Sequence, residues 1–249
     1  MTVATSRAMW VWMHEAAPPD PAAVAALARA ERVTEAFVSV PWGGPSTDTH
    51  RCVAALRGEG VRVSALGGDP AWTTGGDAVT WMQRATAAFL FQGVHLDIEP
   101  WTRRDWPGRE RELLTGLART VKDVAARTDL PVDVDLAPWL ADPHPREFGD
   151  IVARADAVTL MAYRDRATDI LASSAAARQA IGSARKPYRI GVETGAVHEP
   201  EPTASQTFAD DGRAALEAEL AAVAAQLAGD ARFAGVAVHD FAGWQALGA

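Results

Sequence analysis

Two periodicities alternate along this chain. Short runs of Val, Leu and Ile, the mark of strands, give way to stretches where apolar residues return every three or four positions, the mark of amphipathic helices. The first strand is expected over Met9–His14. Asp20-Pro21 then supplies a cap and a first-turn proline for a helix that turns Val24, Leu27 and Ala28 inward. The second strand is Ala36–Trp42, with a helix from about Thr47 to Leu56 stopped by Gly58. The third, Val61–Leu66, ends at Gly67-Gly68-Asp69-Pro70, and Asp77 is expected to cap a helix through Val79, Met82 and Phe89. The fourth runs from Val94 to Glu99. A long helix bearing Leu113, Leu117, Val121 and Val124 leads to the fifth, Val132–Leu136, and a short helix around Phe148, Ile151 and Val152 leads to the sixth, Ala157–Tyr163. A helix from about Thr168 to Ile181 precedes the seventh strand, Tyr188–Glu193. The loop Thr194–Gln206 is the longest irregular segment and is expected to cover the rim as a mobile lid. Leu216, Leu220, Val223 and Leu227 mark a helix stopped by Gly229; the eighth strand is Gly235–His239, and Phe241–Leu247 can form only a turn or two.

Eight strand-plus-helix units in 249 residues fit an α/β chain folded as a single (β/α)8 TIM barrel domain spanning residues 1–249. An open doubly wound sheet shows the same alternation. The barrel is preferred because the count closes at eight and no G-x-G-x-x-G follows the first strand.

The fourth strand carries the chemistry. Val94, Leu96 and Ile98 are apolar, whereas His95, Asp97 and Glu99 are ionisable, so the three ionisable groups share one face. A parallel strand between two helices is covered on its outer side, which sends that face into the barrel lumen. Burying carboxylates is costly and marks a site. In a barrel the site lies at the C-terminal ends of the strands. Those ends offer Trp12, His14 and Glu15; Trp42; Asp69 and Trp72; Asp97, Glu99 and Trp101; Asp135 and Trp139; Tyr163 and Asp165; Glu193; and His239, Asp240 and Trp244. Many of the nine tryptophans thus fall on one rim, where indole faces suit the apolar faces of sugar rings. Carboxylates beside aromatic walls are what glycoside hydrolysis needs: one group protonates the leaving oxygen and another stabilises the anomeric carbon. Mutual repulsion of Asp97 and Glu99 raises the pKa of one of them.

Charge and cysteine content narrow the partners. A net charge of −8 without a basic cluster argues against nucleic acid and anionic membrane. The run Met9-Trp10-Val11-Trp12-Met13 is too short and too aromatic for a signal segment, so a cytoplasmic location is expected. Cys52 is the only cysteine and reads as a buried, inert thiol. No motif calls for a cofactor or a resident metal, and oligomeric state is not encoded legibly.

The motifs resemble those of a known family. Gln92-Gly93-Val94-His95-Leu96-Asp97-Ile98-Glu99 resembles the fourth-strand signature D-G-x-D-x-D-x-E of the family-18 glycoside hydrolases, the chitinase-like barrels. Ala65-Leu66-Gly67-Gly68 resembles the third-strand S-x-G-G, and Met161-Ala162-Tyr163-Arg164-Asp165 the sixth-strand M-x-Y-D. The resemblance implies that Glu99 is the general acid, that Asp97 orients a 2-acetamido group, and that Tyr163 hydrogen-bonds the acetamido oxygen as it attacks the anomeric carbon. It also implies that Trp244 floors the sugar site. Trp12, His14, Trp42, His95, Trp101, Asp135, Trp139, Asp165, Glu193 and His239 would line the rest. The pattern's first two aspartates are Gln92 and His95 here, and Asp165 follows Tyr163 by two positions rather than one. With no room for an inserted second domain, the expected substrate is a small glycoside or amino-sugar compound rather than a polymer. Two other classes fit the same residues: a divalent-metal-dependent isomerase, epimerase or lyase using the strand-end carboxylates and histidines, and a non-catalytic carbohydrate-binding barrel.

Overall fold

A computed structural model describes residues 6–198 and 202–247. Eight parallel strands pair in sequence order and β1 closes on β8. They are β1 Ser6–Val11, β2 Glu35–Ser39, β3 Arg62–Gly67, β4 Gly93–Leu96, β5 Val132–Leu136, β6 Ala157–Met161, β7 Tyr188–Glu193 and β8 Phe233–His239. The barrel expected from the repeat count is therefore present, and the open sheet is not. The outer layer comprises α1 Pro21–Ala30, α2 Thr47–Gly58, α3 Asp77–Thr86, α4 Glu110–Ala125, α5 Pro145–Arg154, α6 Ala167–Ser173, α7 Ala175–Ser183, α8 Arg213–Leu227 and α9 Phe241–Ala246. Among the described residues no helix is long and apolar enough to cross a membrane.

Strand alternation divides the chain into two cores. Outward residues such as Val94, Leu96 and Ile98 join the helix faces in one continuous apolar core. Inward residues Ala8, Trp10, Phe37, Leu66 and Ala237 form a separate apolar cluster in the lumen. Below it, Arg189 meets both Glu35 and Asp133, the latter at 3.2 Å. Above it, the inward positions turn acidic. The lumen is thus layered: an ionic base, an aromatic middle, and a carboxylate ring under the mouth.

Local chemistry sets several boundaries differently from the sequence expectation. α2 ends on Gly58, as expected, and the residue that turns the chain beyond it is Gly60, whose φ of +78° suits glycine. Gly76, not Asp77, precedes the first residue of α3, and no side chain caps that end. The helix expected over Thr168–Ile181 is two helices, broken where the Ser174 hydroxyl donates to the Ile170 carbonyl at 2.7 Å. Cys52 is buried in α2, and burial pushes its thiol up to about 12, which keeps it protonated and inert.

Candidate active site

The mouth is built where β4 stops. Its ladder ends at Leu96, so Asp97 and Glu99 leave the sheet and lie on the rim. Gly68 makes this possible: a Cβ there would overlap the backbone carbonyl of Asp97, so only glycine lets β3 pass so close. Beneath, His95 is fully buried and stacks on Phe37 with ring centroids 3.6 Å apart. Burial pushes His95 down to about 3, so it is neutral. Its Nε2 lies 2.8 Å from Asp135 Oδ1, but neither atom gains an aligned hydrogen bond. We read this as close packing of a neutral ring and not as an ion pair.

Asp97, Asp135, Glu193, Tyr163 and His239 come together with Glu99 around this point. The Trp10 indole donates to Asp135 Oδ2 at 3.1 Å. Burial lifts Asp135 well above the usual carboxylate range; the Trp10 bond opposes this and the Glu99 charge adds to it. Burial likewise raises Asp97, with the charges of Asp135 and Glu99 next and a side-chain hydrogen bond to Glu99 adding further. Asp97 is half-buried, and its Oδ1 lies inaccessible to solvent. Asp97 and Asp135 thus each disfavour ionisation, because burial and neighbouring negative charge act on both in the same direction. Burial and then the charge of Glu193 keep the Tyr163 hydroxyl protonated, well above its ordinary value.

His239 balances two demands. Its Nδ1 meets Glu193 Oε2 at 2.8 Å, and Glu193 Oε1 accepts from the backbone N–H groups of Thr194 and Gly195. Burial works against charge on His239, but the Glu193 hydrogen bond and charge outweigh it and carry the imidazole up to about 9. The Trp12 indole N–H, 3.0 Å from Nε2, pulls the other way. An indole can only donate, so this contact needs the neutral ring with its proton on Nδ1.

Two cavities open on the mouth. One, of about 470 Å³, lies over β4–β6 and is lined by Glu99, Tyr163, Arg164, Trp101, Trp106 and Trp139. The three indoles pack edge to face, with Trp139 half exposed. The other, of about 520 Å³, lies over β1–β3, where Trp12, Trp42 and Trp72 form its wall. Trp42 is exposed there beneath the Arg84 guanidinium.

Three residues expected at the site lie apart from it. Trp244 does not floor it: the chain turns outward after β8, so α9 packs on β1 and α1, and Trp244 is buried in the outer core against Arg7. The indole on the lumen floor is Trp10. His14 is exposed, because β1 ends at Val11 and leaves it beyond the rim. Asp165 is directed to Arg166, 3.9 Å away. Of the expected lid, residues 199–201 fall outside the described residues, while Gln206 reaches the first cavity. Sequence reasoning missed Trp10, Trp106 and Arg164. Trp10 was open to detection, since it shares the strand face of Trp12. Among the described residues no three His, Cys, Asp or Glu side chains are grouped to hold a metal ion.

Solved structures carry the same barrel. A spore cortex-lytic enzyme SleL from Bacillus megaterium QM B1551 matches with a TM-score of 0.62 and 12% identity, over 97% of this chain and 72% of that one. An endo-β-N-acetylglucosaminidase from Cordyceps militaris matches at 0.60 and 16%, over 94% and 81%. A class V chitinase from Pseudomonas fluorescens Pf-5 matches at 0.59 and 12%, over 98% and 99%. The barrel resembles those of chitinase-like enzymes. At these identities the likeness is one of fold, and fold alone does not carry chemistry. No family model matches the chain, and no curated protein matches it.

Proposed function

We propose that this chain is a glycoside hydrolase-like enzyme acting on a small glycoside or amino-sugar substrate, with Glu99 as general acid and base. The observation that carries the reading is the position of Glu99. It stands between a wall of indoles and the buried carboxyl groups of Asp97 and Asp135, both raised above the usual carboxylate range, and it is hydrogen-bonded to Asp97. A sugar ring packed on Trp139 or Trp101 would bring its glycosidic oxygen to Glu99. Glu99 then gives a proton to the leaving oxygen as the bond to the anomeric carbon breaks. Asp97 and the protonated Tyr163 hydroxyl orient a 2-acetamido group, whose oxygen attacks the anomeric carbon. Glu99, now a carboxylate, takes a proton from the water that completes hydrolysis. Glu193 and Trp12 hold the His239 ring in place beneath Tyr163.

The test is Glu99→Gln on alkyl and 4-nitrophenyl glycosides, with and without a 2-acetamido group. Loss of the acid should lower kcat on alkyl glycosides by about 10²–10⁴-fold. The loss should be smaller on 4-nitrophenyl glycosides, whose leaving group needs no proton. Equal activity of Glu99→Gln and the native chain on an alkyl glycoside would remove Glu99 from the mechanism.

A further inference from the structure

The cavity beside Glu99 has one cationic side chain in its wall, Arg164. It follows Tyr163 directly, at the position where the M-x-Y-D pattern has an aspartate, so a negative charge has been exchanged for a positive one. Arg164 is half-buried, and its Nη1 donates to the Tyr163 carbonyl at 2.6 Å. That bond fixes the guanidinium against the strand end and leaves most of its five N–H groups unused. Three arginines near this cavity are committed to carboxylates, Arg103 to Asp105 at 2.7 Å, Arg109 to Glu112 at 2.6 Å and Arg166 to Asp211 at 3.0 Å, while Arg84 at the second cavity lies over the Trp42 ring. Among the described residues Arg164 has no such ion pair.

A guanidinium without a carboxylate partner among the described residues, on an aromatic wall, is poorly explained by stability, since it sits where apolar packing would otherwise be favourable. It is equally hard to explain by a neutral sugar, for which hydroxyl and amide donors suffice. The surroundings make the charge useful for one purpose. With a net charge of −8, this protein repels anions unless a cation is fixed at the point of contact. Guanidinium offers a planar fork that fits carboxylate or phosphate oxygens.

We propose that Arg164 recognises an oxyanion substituent, a carboxylate or a phosphate, on the glycone or aglycone bound beside Glu99. The substrate class is then acidic glycosides. This rests on the hydrolase-like reading for the word glycoside, but the binding preference can be measured without turnover. The substituent lies against the Arg164 wall while the sugar face packs on the indoles.

The experiment is calorimetric titration of the intact chain with methyl β-D-glucuronide, glucose 6-phosphate and methyl β-D-glucoside, at low and high salt. At least one acidic probe should bind about tenfold to a hundredfold tighter than the neutral one, the worth of charge-assisted hydrogen bonds. Whichever acidic probe binds identifies the oxyanion, and the preference should shrink at high salt. Arg164→Gln should abolish the preference, so that the acidic probe binds no tighter than the neutral one. Arg164→Lys should restore part of it, which a merely structural role would not do. Thermal melts of both variants check that each is folded. Equal binding of acidic and neutral probes, binding of neither acidic probe, or a preference that survives Arg164→Gln would overturn the proposal. Glu99-dependent hydrolysis of neutral glycosides with no acidic preference would sink this inference and leave the hydrolase reading standing. An Arg164-dependent preference in a chain that hydrolyses nothing would do the reverse.

Discussion

Adding a single methyl group at Gly68 should disable the mouth. A Cβ there would fall on the carbonyl group of Asp97, well under the 3.0 Å that Cβ atoms essentially never breach, and 3.1 Å from the Asp97 Cα. Both obstacles are backbone, so no side chain can swing away. The neighbouring rung, Asp97 N–H to the Gly67 carbonyl at 3.0 Å, ties the same two strand ends together. Gly68→Ala must therefore part β3 from the end of β4. Overpacking of this kind costs about 1–3 kcal/mol. For a domain of this size that is a fall in Tm of about 2–12 °C, taking about 2–4 °C per kcal/mol. The displacement also moves Asp97 and Glu99, and a misplacement of about 1 Å costs on the order of 10²-fold in rate. Gly43→Ala is the control, because its Cβ would meet nothing within 4 Å. Calorimetric melts of the two variants beside the native chain, with turnover on the best glycoside, make the comparison. If Gly68→Ala melts and turns over like Gly43→Ala, the account of close approach is wrong.

Three further outcomes are expected. Asp97 holds its proton more tightly folded than unfolded, so its contribution to stability is lost as pH rises from the unfolded value of about 3.9 through the raised folded value. Asp97→Asn should thus melt higher than the native chain at neutral pH while hydrolysing more slowly; a lower melting temperature would contradict this. His239 has the opposite charge type and a folded value of about 9. Its contribution is complete below the unfolded value of about 6.5 and disappears as pH rises through about 9. His239→Gln should flatten that window in pH-dependent melts, and Trp12→Phe should move the His239 NMR titration upward by removing the donor that favours the neutral ring. Arg189→Met should cost about 3–5 kcal/mol in urea unfolding, since it strands Asp133 in the barrel base and leaves Glu35 with Arg62 alone; a loss near zero would show that water reaches Asp133.

Where packing follows directly from alternation, the chain could be read without a structure. β5 and β7 have the expected ends, because inward Asp133 and Asp135, and Arg189 and Glu193, alternate with Val and Ile. The face shared by His95, Asp97 and Glu99 was legible for the same reason. The end of β4 was not: alternation continues to Glu99, but the strand ends at Leu96, and only the Asp97 N–H still reaches β3, at the Gly67 carbonyl. Trp244 was misjudged because adjacency to β8 in sequence says nothing of the direction in which the chain leaves the barrel. Trp106 lies in an irregular segment with no periodicity to orient it. Arg164 was visible only as a departure from a pattern, and its meaning depended on which neighbours were already paired.

The layering of the lumen makes this barrel a vessel open at one end. Trp10, Phe37, Leu66 and His95 are all but inaccessible and lie directly beneath the carboxylate ring, with the Arg189 network below them. Protons exchanged between the ring and bulk water must therefore pass through the mouth, across the surface that a ligand would occupy. A bound molecule there would act as a stopper: the proton count of the ring at the moment of binding would be the count available until release. Acidity at this mouth is then a property of the filled vessel, set by the solution only while it stands open.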